Sequence, residues 1–304
     1  MTLLSVRGLD VSFVSGKSVI RAVNGLDLDL DEGSSLAIVG ESGSGKSVLA
    51  SAILGMLEDN GTARGEMLFD GEDLMKAERR RMVALRGKDI CLLPQNAWSA
   101  WDPIMRIGDQ MIEFLRKCGV PKEEAPQIAE GYLGRCGLDP SVLRSYAHRL
   151  SGGMSQRAMI AMCTAVHPRL LIADEPTKGL DGRSRKLVLD VISTVRERSA
   201  LLMITHDLKA ARSCEDVAIM YGGRIVEIGP ANDVLDHPRH PYTKGLCAAH
   251  PNKGMVPIPG CIGERTSGEG CCFRDRCCSN DAACSGDIPL DGNGWKVRCC
   301  HADR

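Results

Sequence analysis

Up to about residue 240, short apolar runs alternate with stretches whose apolar residues recur at helical spacing. That alternation predicts an α/β domain with a largely parallel sheet. Leu36-Ala37-Ile38-Val39 reads as a buried strand ending in a Gly-rich turn, and Val48 to Leu57 after it reads as a helix. Ile90 to Leu93, Leu170-Leu171-Ile172-Ala173 and Leu201-Leu202-Met203-Ile204 predict further strands. Polar residues follow each run, as expected at the carboxyl ends of parallel strands, where ligands bind. Between about Asn96 and Val166 strand-like runs vanish, while Ile107, Met111, Phe114 and Leu115 fall on one helical face. This predicts a helical insertion whose apolar stripe faces a core. After Ile228 the chain turns loop-like at His237-Pro238-Arg239-His240-Pro241-Tyr242, which reads as a linker. The expected organisation is a domain over 1–240, with a helical subdomain at about 96–166, and a separate tail over 241–304. No internal repeat is visible.

Composition narrows the partners. Lys and Arg total 38 against 39 Asp and Glu, for a net charge of −1. Such balance speaks against broad electrostatic binding to nucleic acid or an anionic membrane, and no nucleic-acid partner is expected. No apolar run approaches the ~18 residues of a membrane span. Arg7 and Asp10 stand where a signal peptide would need its apolar core. The chain is therefore expected in the cytoplasm, touching a membrane only through a partner. Of 14 cysteines, Cys91, Cys118, Cys136, Cys163, Cys214 and Cys247 are scattered singly and read as small apolar residues. The other eight lie from Cys261 onward and mark the tail as a distinct unit.

The chemistry starts at Gly40-Glu41-Ser42-Gly43-Ser44-Gly45-Lys46-Ser47, which fits G-x-x-x-x-G-K-[ST] between a predicted strand and a predicted helix. Gly40, Gly43 and Gly45 let backbone N–H groups turn towards phosphate oxygens, with Ser42 inside the loop and the following helix aiming its positive end at the same place. Lys46 places a charge on the β- and γ-phosphates, and the Ser47 hydroxyl is suited to Mg²⁺. The implied cofactor is Mg-ATP. The run Leu170 to Ala173 carries Asp174 to a strand end, where a carboxylate holds Mg²⁺ directly or through water, and Glu175 follows as the group that polarises the attacking water.

Leu150-Ser151-Gly152-Gly153-Met154-Ser155-Gln156-Arg157 resembles the signature motif of ABC transporter ATPases, L-S-G-G-x-x-Q-R, and sits upstream of the Asp174 strand as it does there. The resemblance implies a P-loop NTPase fold, with a RecA-like parallel sheet, N-terminal antiparallel strands and an inserted α-helical subdomain. It also implies a head-to-tail dimer in which Ser151 and Gly153 of one subunit cover the γ-phosphate held by the other. Gln95 resembles the Q-loop glutamine, a Mg²⁺ sensor. His206 resembles the switch histidine, and Gly179-Leu180-Asp181 the D-loop that couples the two sites. Phe13 occupies the place of the aromatic that stacks on adenine, where Tyr is commoner; a core Phe is the alternative. Gln95-Asn96, Asp102-Pro103, Ile107-Gly108-Asp109-Gln110 and His237 to Thr243 are similar to the oligopeptide/dipeptide/nickel group of importers. Membership there implies two permease subunits, an extracytoplasmic substrate-binding protein, a second ATPase subunit forming a heterodimer, and a place at the cytoplasmic face of the cell membrane. Departures are Ala100-Trp101-Asp102-Pro103 for Ser-Leu-Asn-Pro, with Trp98 and Trp101 facing either the permease or the core, and Lys178-Gly179 for Thr-Ala before the D-loop.

In the tail, Cys271, Cys277 and Cys284 have C-x5-C-x6-C spacing, with Cys299-Cys300-His301 beyond. The block resembles the extension of dipeptide-type ATPases, where four cysteines bind a [4Fe–4S] cluster. The resemblance implies Cys271, Cys277, Cys284 and Cys300 as ligands, Cys300 being chosen over Cys299 because it precedes a His. Thiolates also suit Zn²⁺, the alternative to the cluster, and a tail without a fixed metal is the third possibility. The main reading is thus the ATPase subunit of a peptide or nickel importer. The rival is a cytosolic ABC ATPase that does not transport, such as one serving iron–sulfur cluster assembly.

Overall fold

The computed structural model describes residues 1–195, 199–250, 254–260 and 270–302. Cys261 lies outside them. Strands run in the order β1 (Thr2–Ser15), β2 (Ser18–Asp31), β3 (Ser35–Val39), β4 (Gly61–Phe69), β5 (Glu72–Asp73), β6 (Ile90–Leu93), β7 (Leu170–Asp174), β8 (Ala200–Thr205), β9 (Asp216–Tyr221), β10 (Arg224–Pro230) and β11 (Lys296–Val297). Helices are α1 (Lys46–Ile53), α2 (Arg79–Leu85), α3 (Ala97–Ala100), α4 (Ile107–Lys117), α5 (Ala125–Arg135), α6 (Gly152–Ala165), α7 (Gly182–Val195), α8 (Leu208–Ala211), α9 (Ala231–Asp236) and α10 (Pro241–Ala248). The chain divides into two compact units. One comprises Met1–Asp31, Ser35–Ala77 and Ile204–Arg304, the other Glu32–Ser34 and Glu78–Met203.

The first unit opens with an antiparallel sheet in the order β2-β1-β4-β5. In β2 the run Leu26-Asp27-Leu28-Asp29-Leu30-Asp31 buries every leucine and exposes every aspartate, the period-2 pattern of a strand with one wet face. In β3 all five residues are buried. It lies parallel to β9, from Leu36 opposite Asp216 to Val39 opposite Ile219. β9 returns antiparallel as β10 through Gly222-Gly223, both with positive φ, as a tight hairpin turn demands.

The linker is more ordered than its Pro-rich sequence predicts. β10 continues to Pro230, α9 follows, and α10 starts at Pro241. Proline fits the first helical turn because its missing N–H has no partner there to lose, so the His-Pro-Tyr stretch starts a helix. The His240 Nδ1 accepts the Tyr242 N–H at 3.0 Å and caps α10. The fully buried Glu227 of β10 accepts from the N–H groups of Arg239 and His240 at 3.0 and 2.9 Å. It also takes the Trp295 indole N–H at 2.9 Å, just before β11, which pairs with β10. One carboxylate thus ties the helix start and the C-terminal tail to the same strand.

In the second unit, β6 and β7 run parallel, Ile90 opposite Leu170 and Leu93 opposite Ala173. Every described element between these two strands is helical. Ile107, Met111 and Leu115 of α4 and Ala125, Ala129 and Leu133 of α5 are fully buried. Arg157 of α6 donates to the carbonyls of Cys136 and Gly137 at 3.1 and 2.8 Å, satisfying acceptors that the end of α5 leaves open. The two tryptophans separate: Trp101 is 4% exposed and Trp98 is 53% exposed.

Burial holds the His240 pKa down to about 3, so the folded ring stays neutral. An unfolded chain binds that proton below about pH 6.5. Stability is fully present above that pH and falls as pH drops towards the folded value, by up to about 1.4 kcal/mol per unit. His240→Asn keeps a capping acceptor but cannot titrate. Urea unfolding at pH 7 and pH 5.5 should therefore show a steeper loss in the parent, by roughly 1 kcal/mol. Equal losses in both proteins would remove His240 as the cause.

Candidate functional site

In the first unit, Gly40 to Ser47 links β3 to α1. Gly43 and Gly45 have φ of +83° and +102°, a region closed to most side chains. Space is as restrictive as torsion: a Cβ on Gly40 would run into the Met220 carbonyl, and one on Gly45 into the Ala22 carbonyl. The loop closes on itself through Ser44 N–H to Glu41 O at 3.2 Å. The buried Lys46 folds back over it, Nζ donating to the carbonyls of Gly40 and Glu41, both at 2.8 Å, and to Ser44 Oγ at 3.3 Å. Glycine-lined backbone with an ammonium at its mouth fits a polyphosphate. Beside it, Phe13, Ser47, Val48, Ser51, Met56, Leu57 and Glu58 line a cavity of about 410 Å³, within the size range of small-ligand sites. Phe13 and Ser47 are thus brought to one cavity. The Phe13 ring also lies so close to Gly61 that a Cβ there would stand 2.8 Å from it. His206 is exposed directly after β8, and the next residue, Asp207, caps α8 by accepting from Lys209 N–H.

The second unit holds the other predicted residues. Gln95 is exposed two residues beyond β6, and Asp174 ends β7 beside it, so the parallel register delivers both to the same sheet edge. Asp174 and Glu175 are buried, and Glu175 has φ of +50°. A left-handed glutamate costs of order 1 kcal/mol or more, and such backbone concentrates at working sites. Ser151 Oγ accepts from Met154 N–H at 3.2 Å, capping α6. Gly153 has little room, since a Cβ there would meet Leu180 at 3.3 Å. Asp181 accepts from the N–H groups of Arg183 and Ser184 and from Ser184 Oγ. These bonds, the Ser184 backbone bond foremost, hold its carboxyl below the usual carboxylate range. It is the start of α7 as well as the predicted D-loop residue.

The tail belongs to the first unit. Cys271, Cys277 and Cys284 share a neighbourhood with Cys299. Cys300 Sγ lies 3.6 Å from Cys284 Sγ. Asp281 Oδ1 is 3.9 Å from Cys284 Sγ and 3.2 Å from His301 Nε2. Burial pushes the Cys271 thiol up to about 12, and burial followed by the Cys284 contact pushes Cys300 up to about 11. Left without a cation these groups stay protonated, whereas a bound metal would make them thiolates. Donor atoms of Asp281, Cys284, Cys300 and His301 all lie within 4.8 Å of one another. That spacing suits one ion, so the residues fit a thiolate-bound metal.

Residues 23–178 match the ABC transporter family, slightly more than half of the chain. The chain belongs to that family. Residues 226–284 match the oligopeptide/dipeptide transporter C-terminal region. Over 272 residues the chain is 40% identical to the oligopeptide transport ATP-binding protein OppD of Bacillus subtilis (strain 168), spanning 85% of this chain and 76% of that one. Over 289 residues it is 37% identical to the dipeptide transport ATP-binding protein DppD of Escherichia coli (strain K12), spanning 91% and 88%. A dimeric ATP-binding cassette bound to ADP and phosphate superposes with a TM-score of 0.70 at 23% identity, over 75% of this chain and 98% of that one. This last likeness supports the fold: parallel strands joined to an antiparallel N-terminal sheet.

As an ABC ATPase the chain is expected to bind and hydrolyse ATP. Three residues beside the site were not legible as part of it. Tyr242 OH accepts the Glu41 N–H at 2.9 Å, Arg276 pairs with the Glu41 carboxylate, and Asp281 joins the cysteines. Only Cys300-His301 adjacency hinted at a mixed donor set. The tight loop yields a direct expectation. Gly45→Ala should lose ATP binding by at least an order of magnitude, since both torsion and space exclude the methyl. Titration with a fluorescent ATP analogue, alongside circular dichroism to confirm folding, checks it; a folded variant with unchanged affinity would contradict it.

Proposed function

We propose that this chain is the ATP-hydrolysing subunit of an ABC importer for peptides, working at the cytoplasmic face of a membrane. The observation that carries this is the joining, in one chain, of the Gly40–Ser47 phosphate cradle to a C-terminal region of the oligopeptide/dipeptide type. The relatives described above are named for oligopeptide and dipeptide transport, which favours peptides over nickel as cargo. No helix among the described residues is long and apolar enough to cross a membrane. Coupling to transport therefore calls for two permease subunits, and import calls for an external substrate-binding protein. A second, related ATPase completes the proposed dimer. Nothing observed favours a role in iron–sulfur cluster assembly.

Bound Mg-ATP supplies the phosphoanhydride bond whose hydrolysis releases the energy. Lys46 and the loop amides around Gly40, Ser42, Gly43 and Gly45 hold the phosphates, and Phe13 stacks on the base. Ser47, Asp174 and Gln95 are the metal-facing groups. Glu175 orients and polarises the attacking water, and His206 contacts the γ-phosphate. Ser151, Gly153 and Asp181 act across the dimer. Glu175→Gln should retain ATP binding and lose at least about 100-fold in turnover, seen as ATP-locked dimers in size-exclusion chromatography. Turnover near that of the parent would take the role away from Glu175.

The tail is proposed to hold a [4Fe–4S] cluster on Cys271, Cys277, Cys284 and Cys300. The close Asp281, Cys284, Cys300 and His301 donors favour Zn²⁺ as a second reading. Cys284 and Cys300 belong to both sets, so only one can be filled. Protein purified without oxygen should carry about four iron and four acid-labile sulfide per chain for the cluster, or one zinc without sulfide for the second reading. Neither metal would overturn both. If iron is present, its loss in Cys300→Ser but not Cys299→Ser supports the assigned ligand, and the reverse result replaces it.

A further inference from the structure

Glu41, the second residue of the phosphate loop, is a carboxylate set inside a cradle built for anions. Left uncompensated, it would repel phosphate and raise the free energy of the ATP complex. The structure compensates it from 235 residues away. Arg276 Nη1 donates to Glu41 Oε2 at 2.7 Å and Nη2 donates to Oε1 at 3.2 Å, a two-pronged pair of the strong, geometrically specific kind. The arginine side chain is 6% exposed and that of Glu41 29%. Arg276 Nε is spent on the Pro259 carbonyl at 2.7 Å, and its guanidinium lies near the Tyr221 and Phe273 rings, with centroids at 5.6 and 5.9 Å. These contacts fix the fork before any ligand arrives.

Glu41 is gripped elsewhere too. Its N–H goes to Tyr242 OH, and its carbonyl receives Lys46 Nζ at 2.8 Å. The residue that orients Lys46 is therefore held on one side by α10 and on the other by the cysteine-rich tail, all within one compact unit.

We infer that Arg276 is a positioning residue of the ATP site: from the tail, it neutralises and fixes Glu41 so that the phosphate loop accepts ATP. The tail is then part of the nucleotide-binding machinery as well as an appendage to it. The inference concerns binding and does not depend on which metal the tail holds.

The test measures equilibrium affinity for ATP with Mg²⁺ on the full chain, by displacement of a fluorescent ATP analogue, in the parent, Arg276→Met, Arg276→Lys and Arg276→Met with Glu41→Gln. Arg276→Met should weaken affinity by about 5- to 50-fold. Adding Glu41→Gln should recover most of the loss, because the uncompensated charge goes with it. Arg276→Lys keeps the charge but not the two-pronged fork, so its affinity should fall between those of the parent and Arg276→Met. A merely structural arginine would not be rescued by removing a carboxylate on the loop. Unchanged affinity in Arg276→Met overturns the inference, and so does a double variant as weak as the single one. Should Arg276→Met fail to fold, Arg276→Gln takes its place, and a folded Arg276→Gln with unchanged affinity equally overturns the inference.

Discussion

The phosphate loop depends on two backbone contacts that only glycine permits. Gly40 presses on the Met220 carbonyl of β9, and Gly45 presses on the Ala22 carbonyl of β2. Two sheets of the first unit therefore wall the loop, and β3 and α1 leave from its ends. The fit shapes the loop from the backbone side and leaves Lys46 to reach the Gly40 and Glu41 carbonyls. Strand order, the Gly222-Gly223 hairpin and the alternation of β2 all act on the site by placing those two carbonyls.

The tail is built around two charged anchors of opposite sign. Glu227, buried in β10, gathers three N–H donors from the linker and the C-terminal segment. Arg276 reaches the loop itself. Between them Phe273 packs against Tyr221 at 5.2 Å and Tyr242 at 5.4 Å. A buried charge is tolerated only when its hydrogen-bonding capacity is used, and both anchors meet that condition through partners far away in sequence. They give a small segment with few large apolar residues a defined seat on the larger domain.

Much of the ATP site was legible because its signals are local. The apolar runs at β3, β6, β7 and β8 end where polar residues begin, and the Gly-Lys-Ser spacing fixes a backbone shape. What escaped was of two kinds. Some elements are too short to carry a pattern, such as β11, whose two residues pair with β10 next to the Trp295–Glu227 hydrogen bond. Others rest on contacts between distant residues: Arg276 with Glu41, Trp101 buried against the Ser155 carbonyl, and Asp281 beside His301. The prolines around His240 misled for another reason. Pro241 satisfies the first turn of a helix as readily as it breaks one, and the surrounding apolar residues, Tyr242 and Cys247, are too few to reveal the period.

The position of Arg276 also bears on what a tail metal would do. The residue is next to Cys277 and five positions from Cys271, so any ligand that gathers these thiols also fixes the backbone from which the guanidinium projects. A metal that closes a weakly packed segment contributes its binding energy to folding. Here the same folding energy would hold the Glu41 pair in place. Loss of the metal would then loosen the tail's grip on the phosphate loop while Glu227, bonded to backbone N–H groups of the linker, kept α10 anchored. The two anchors therefore differ in kind: one is secured by secondary structure, the other by the cysteine-rich segment.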